Sequence, residues 1–126
     1  MRLLLDTHLF LWAVAGSPQL KPAAKRIIDA ADKVHISAAS LWEIAIKASL
    51  GKIDANAGEM LAAIDASGFV ELPVTAAHAA AVAQLPLHHR DPFDRLLIAQ
   101  CISEPLRFLT ADGILGQYSD LVTVLN

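Results

Sequence analysis

Four carboxylates, Asp6, Glu43, Asp94 and Asp112, stand far apart in the chain, yet each falls at or just beyond the end of a candidate strand or in the opening turns of a helix. In a parallel α/β sheet, ligands collect beyond the carboxyl ends of the strands, so these positions would put all four acids on one rim. Like charges brought that close repel, and such a cluster is kept where a cation neutralises it. A set made only of oxygens, with no cysteine and no clustered histidine, selects Mg²⁺ or Mn²⁺ over zinc. Such a site suits metal-assisted phosphodiester hydrolysis, in which the cation activates a water and the protein needs no nucleophile of its own.

Each acid also has a plain structural explanation. Asp6 and Asp94 can cap a helix or sit favourably on its dipole. Ser40-Leu41-Trp42-Glu43 matches a capping box, and Glu43 has the i,i+4 spacing of a surface ion pair with Lys47. If that helix starts at Ser37 instead, Glu43 lies too far in to cap anything. Only the set of four argues for chemistry.

The elements that must position them follow from periodicity. His88-His89-Arg90-Asp91-Pro92-Phe93-Asp94 runs into the apolar stretch Arg95-Leu96-Leu97-Ile98-Ala99-Gln100-Cys101. Asp91 is the cap, Pro92 the first helical residue, and Asp94 lies in the first turn. Leu3-Leu4-Leu5 is a short apolar run typical of a strand buried on both faces, and Asp6 ends it. Helices are expected over Thr7–Val14, Ala23–Ala31, from Ser37 or Ser40 up to Gly51, over Ala57–Ala66 and, capped by Thr75, over Ala76–Leu85. Further strands are expected at Val34–Ile36, Phe69–Leu72, Arg107–Leu109 and Leu121–Leu125. Gly16, Gly51 and Gly68 read as helix stops. The alternation predicts an α/β/α sandwich around a five-stranded, mainly parallel sheet, built as a single domain over residues 1–126.

A hydrophobic content of 55% is high for 126 residues, and we expect part of it to cover a partner, with a homodimer the simplest case. The net charge of -3 argues against a general nucleic-acid coat protein. The single Cys101, inside an apolar helical run, reads as a core residue of a reduced compartment. Arg2-Leu3-Leu4-Leu5 imitates the start of a signal peptide, but Asp6 and His8 interrupt it, and no run reaches the roughly 20 apolar residues that span a bilayer. A cytoplasmic protein with no membrane contact is expected.

Leu5-Asp6-Thr7-His8, Ser40-Leu41-Trp42-Glu43-Ile44-Ala45-Ile46-Lys47, Arg90-Asp91-Pro92-Phe93-Asp94-Arg95 and Leu109-Thr110-Ala111-Asp112, in this order and spacing, resemble the PIN-domain ribonucleases, specifically VapC-type toxins. The resemblance covers nearly the whole chain. It implies a PIN-like fold and a Mg²⁺- or Mn²⁺-dependent endoribonuclease that cuts RNA, often transfer RNA, and is silenced by a small VapB-type antitoxin. Carried over by position, it makes Asp6, Glu43, Asp94 and Asp112 catalytic metal ligands. Asp6 and Asp94 would be the principal ones, Asp112 a further ligand or water-holder, and Glu43 a ligand or base. Thr7 and Thr110 would orient carboxylates, while Arg90, Arg95, Lys47, His88 and His89 would meet RNA phosphates or form ordinary ion pairs. A phosphoacceptor receiver fits less well, because Asp6 has no acidic neighbour and no lysine follows Lys52. The other competing reading is a catalytically silent interaction module whose acids only cap helices.

Overall fold

Leu3, Leu4 and Leu5 are wholly buried, and their alternating directions divide the core in two. The structure, a computed structural model, describes residues 1–125; Asn126, the last residue of the expected domain, lies outside them. The elements are β1 (Arg2–Leu5), α1 (Thr7–Ala15), α2 (Pro22–Ala30), β2 (Lys33–Ser37), α3 (Ala38–Ser49), α4 (Ala57–Ala66), β3 (Val70–Leu72), α5 (Ala76–Ala81), α6 (Pro92–Ser103), β4 (Arg107–Thr110) and β5 (Val122–Val124). Short 3-10 turns follow α5 at Val82–Gln84 and β4 at Gly113–Gln117.

The strands run in the order β3-β2-β1-β4-β5, all parallel. On one face, Leu3, Leu5, Val34, Ile36 and Leu109 pack with Leu9 and Phe10 of α1, Ile28 of α2, and Met60 and Ile64 of α4. On the other, Leu4, Leu72 and Phe108 meet Leu97, Ile98 and Cys101 of α6. This is the expected α/β/α sandwich, because a parallel sheet needs helices over both faces. Burial pushes the Cys101 thiol up to about 12, in keeping with a core residue. No helix among the described residues is long and apolar enough to cross a membrane.

The strand order reverses between β1 and β4, which opens a crevice at their carboxyl ends. The ladder runs one step past β1, since the Asp6 N–H donates to the Leu109 carbonyl at 3.0 Å. Gly16 closes α1 at φ 62°, the left-handed conformation of a helix stop.

Three elements are shorter than the periodicity predicts, among them β5, which covers Val122–Val124 of the expected Leu121–Leu125. The helix expected over Ala76–Leu85 stops at Ala81 and tightens into the 3-10 turn. Pro86 disfavours helical backbone at Leu85, and the Arg95 guanidinium draws the carbonyls of Val82, Leu85 and Pro86 toward itself. Phe69 is left out of β3 and sets its ring edge-on to Phe10, at 6.3 Å between centroids.

A polar seam crosses the second face of the sheet. Gln100 is fully buried; its carbonyl accepts from the Ser37 hydroxyl at 2.6 Å, and its amide donates to the Pro73 carbonyl at 3.2 Å. The amide also lies 3.3 Å from Nδ1 of His78, which accepts from the Thr75 N–H and completes a capping box. His78 is thus a buried structural residue, with Nε2 turned to Glu104 at 2.5 Å. Replacing Gln100 by leucine strands several buried polar partners at about 1–3 kcal/mol each. We predict that Gln100→Leu lowers the melting temperature by roughly 10 °C, read by calorimetry.

Candidate metal centre

Asp6 is fixed at the crevice by the strand that precedes it and the helix that follows. It is the N-cap of α1: Oδ1 accepts from the His8 N–H at 3.2 Å, and Oδ2 accepts from the Thr110 hydroxyl at 2.5 Å. The same hydroxyl accepts from the Asp112 N–H at 3.0 Å, so one threonine at the end of β4 orients both acids. Asp112 caps the 3-10 turn through Oδ1, which accepts from the Ile114 N–H, and turns Oδ2 toward His89. Asp94 lies in the first turn of α6 behind the cap residue Asp91, which accepts from the N–H groups of Phe93 and Asp94.

Asp6, Asp94 and Asp112 line one cleft of about 280 Å³ with His8, Leu9, Trp12 and Ala111. Glu43 is not in its wall. It is buried on α3, and its charge nonetheless helps to raise the pKa of both Asp6 and Asp94. The helix begins at Ser37, whose hydroxyl accepts from the Ala39 N–H, so the capping-box reading from Ser40 is corrected. Ser40 instead accepts from the Thr7 hydroxyl at 2.8 Å, and Thr7 therefore orients no carboxylate. Glu43 does pair with Lys47 at 2.6 Å, but at a buried carboxylate rather than on the surface. Its second oxygen, Oε1, is buried without a partner.

These surroundings perturb the acids. Asp6 is pushed above the usual carboxylate range chiefly by burial. Asp94 is raised to about 7 by burial first, then by the charges of Asp6 and Asp91; the His89 hydrogen bond opposes the rise and Glu43 adds to it. Hydrogen bonding to Glu43 holds the Lys47 ammonium above its ordinary value. Crowded, desolvated carboxylates fit a divalent cation; Asp94 and Asp112 bring donor atoms within 4.8 Å of one another together with His89, Asp6 lines the same cleft, and Glu43 bears on it through its charge.

The cations named in the sequence fare differently. Arg95 is absorbed by the fold, donating to the carbonyls of Val82, Leu85, Pro86 and His89 and to the Tyr118 hydroxyl. His88 sets its ring edge-on to Tyr118 at 5.0 Å, and Arg90 stays exposed. His89, read from the sequence as a phosphate or ion-pair residue, reaches Asp94 Oδ2 at 2.9 Å and Asp112 Oδ2 at 4.0 Å. Its proximity to Asp112 depends on a loop folding back and leaves no mark in local spacing.

The family model described as PIN domain matches residues 3–121. No curated protein sequence matches the chain. Among solved structures, the chain is similar to VapBC2 from Rickettsia felis bound to a promoter DNA fragment, at a TM-score of 0.70 and 15% identity over 100% of this chain and 98% of that one. It is also similar to a toxin–antitoxin complex from Klebsiella pneumoniae, at 0.68 and 16% over 96% and 95% of the two chains. FitAcB from Neisseria gonorrhoeae follows at 0.64 and 18%, over 98% and 96%. At these identities the likeness is one of fold.

The perturbed Asp94 sets a sign for stability against pH. Its carboxyl is easier to protonate in the folded state than in the unfolded one, so the folded state binds more protons between about pH 4 and pH 7. Stability without metal should therefore fall as pH rises through that window and stay lower above it. The penalty is at most about 4 kcal/mol, against about 0.3–1 kcal/mol of helix-dipole stabilisation that an amide would forgo. We predict that Asp94→Asn in EDTA melts several degrees above wild type at pH 7.5, with the gap closing toward pH 5. A lower melting temperature at both values would make Asp94 only a helix-terminal charge.

Proposed function

The chain belongs to the PIN domain family, and on that footing we propose that it is a Mg²⁺- or Mn²⁺-dependent endoribonuclease, the toxin of a toxin–antitoxin pair. The observation that carries this reading is Glu43. Asp6, Asp91 and Asp112 all cap helical turns, which a silent module would also need. Glu43 caps nothing, and it holds a buried, partnerless oxygen while its charge bears on Asp6 and Asp94, at a cost that a bare scaffold would not sustain.

Bound there, a divalent cation would neutralise the scissile phosphate and lower the pKa of an attacking water. The chain's own residues set the rest. Thr110 holds Asp6 and Asp112 in fixed orientation, and Lys47 occupies one oxygen of Glu43 while the other is buried without a partner. Asp112, the most exposed of the three cleft acids, would serve at the rim as a further ligand or water-holder. Leu9 and Trp12 make the apolar part of the wall, against which a sugar or base can rest. Exposed Arg90 remains free to meet the RNA backbone, which for this reading includes transfer RNA as a candidate substrate.

The partners follow from apolar surface. A groove of about 470 Å³ lined by Leu11, Val14, Ile53 and Met60 shares His8 and Trp12 with the acidic cleft. An apolar antitoxin segment lying there could direct a basic side chain into the acids, as a VapB-type inhibitor in the same cytoplasm would. A second hollow, of Trp42, Phe93, Leu96, Ala79, Val82 and Pro92, lies between α3, α5 and α6, with Trp42 61% exposed and edge-on to Phe93. We assign it to a homodimer.

Purified protein should cut structured RNA with Mg²⁺ or Mn²⁺, stop in EDTA, and lose cleavage in Asp94→Asn while its circular dichroism stays native. EDTA-resistant cleavage would overturn the metal-dependent reading. Trp42→Glu should convert a dimer into a monomer in light scattering; an unchanged mass would move the dimer contact elsewhere.

A further inference from the structure

His89 sits on the segment between the 3-10 turn Val82–Gln84 and α6, and its backbone is held from two directions. Its N–H donates to the Tyr118 hydroxyl at 2.8 Å, and its carbonyl accepts from Arg95 at 3.4 Å. Arg95 also gathers the carbonyls of Val82, Leu85 and Pro86, at 3.0–3.4 Å. A planar guanidinium with several fixed donors is spent wholly on shaping this segment and contacting Tyr118. The product of that clasp is an imidazole placed at the cleft.

The imidazole meets the acids through Nε2, 2.9 Å from Asp94 Oδ2 and 4.0 Å from Asp112 Oδ2. One donor atom from each of the three residues lies within 4.8 Å of the others. With metal–ligand bonds of about 2.1 Å, octahedral ligands stand about 3 Å apart when adjacent and about 4.2 Å apart when opposite. The His89–Asp94 separation matches an adjacent pair, and the His89–Asp112 separation comes close to an opposite pair. On α3, outside the wall of the cleft, the buried Glu43 Oε1 has no partner, and the Glu43 charge bears on Asp94.

We propose that His89 is a nitrogen ligand of the metal centre, so that the site is a mixed N/O site rather than the all-oxygen set expected from the sequence. The inference rests on the metal-site reading above. Imidazole adds affinity for Mn²⁺ and the later divalent metals, while Mg²⁺ gains little from nitrogen. The chain thereby prefers Mn²⁺ over Mg²⁺ more strongly than four carboxylates alone would. Ligation uses the neutral imidazole, with its proton on Nδ1 and the Nε2 lone pair toward the acids.

The test is pulsed electron paramagnetic resonance on Mn²⁺ added to the full chain, with calorimetric titration of Mn²⁺ and Mg²⁺. His8, whose Nδ1 lies 3.9 Å from Asp6, is the competing nitrogen source. Wild type and His8→Gln should both show spin-echo modulation from directly bound ¹⁴N, and His89→Gln should lose it. His89→Gln should also bind Mn²⁺ about tenfold or more weakly, with a much smaller change for Mg²⁺. Saturable Mn²⁺ binding without ¹⁴N modulation in wild type, or modulation that survives in His89→Gln, overturns the assignment of His89 alone. Failure of Mn²⁺ to bind wild type at all overturns the metal-site reading beneath it.

Discussion

Thr110 donates to Asp6 and accepts from the Asp112 N–H, and through these two bonds the end of β4 sets the orientation of acids lying on opposite sides of the strand-order reversal. The arrangement works because Thr110 is fully buried and its backbone is tied into the sheet: Leu125 donates to its carbonyl, and β4 pairs with both β1 and β5. A hydroxyl held that firmly acts as a fixed part of the cleft. Desolvation raises Asp6 and Asp94, and the threonine bond partly offsets this for Asp6 alone. For Asp94, burial and then the charges of Asp6 and Asp91 push the carboxyl up to about 7, and the His89 hydrogen bond opposes the rise.

Much of this was legible in the sequence. Leu3-Leu4-Leu5 followed by Asp6 has one natural reading in an α/β chain, and Asp91-Pro92 marks the start of α6 through the missing proline N–H and the aspartate cap. The strand-and-helix alternation led to the parallel sandwich, and the position of Asp6, Asp94 and Asp112 around one cleft follows from it. Glu43 was ambiguous for a physical reason: Ser37 and Ser40 can both cap, and only the end of β2 at Ser37 decides between them.

What local spacing could not carry are the long-range polar bonds. Nothing near Arg95 reveals that its guanidinium meets carbonyls up to thirteen residues earlier, or that the Tyr118 hydroxyl holds the His89 backbone from 29 residues away. Thr7 looked like a carboxylate partner by sitting beside Asp6, but a side chain one residue further on points away from it, and Ser40 takes the bond instead. Gln100 likewise sits inside an apolar helical run and gives no sign that it joins Ser37, Pro73 and His78 across the sheet.

The Arg95 clasp recognises carbonyl oxygens, and every residue type supplies a carbonyl. The segment it shapes can therefore change its exposed side chains, such as Leu87 and His88, without losing its path, as long as the arginine and the tyrosine hydroxyl stay. Such a loop is evolvable in a particular sense: its geometry is encoded outside itself, and its own letters are free to specify what it presents. One substitution at position 89 would then exchange the group offered to the cleft on an unaltered frame. A lysine in place of Arg95 would undo that separation, because a single ammonium cannot span several carbonyls at once.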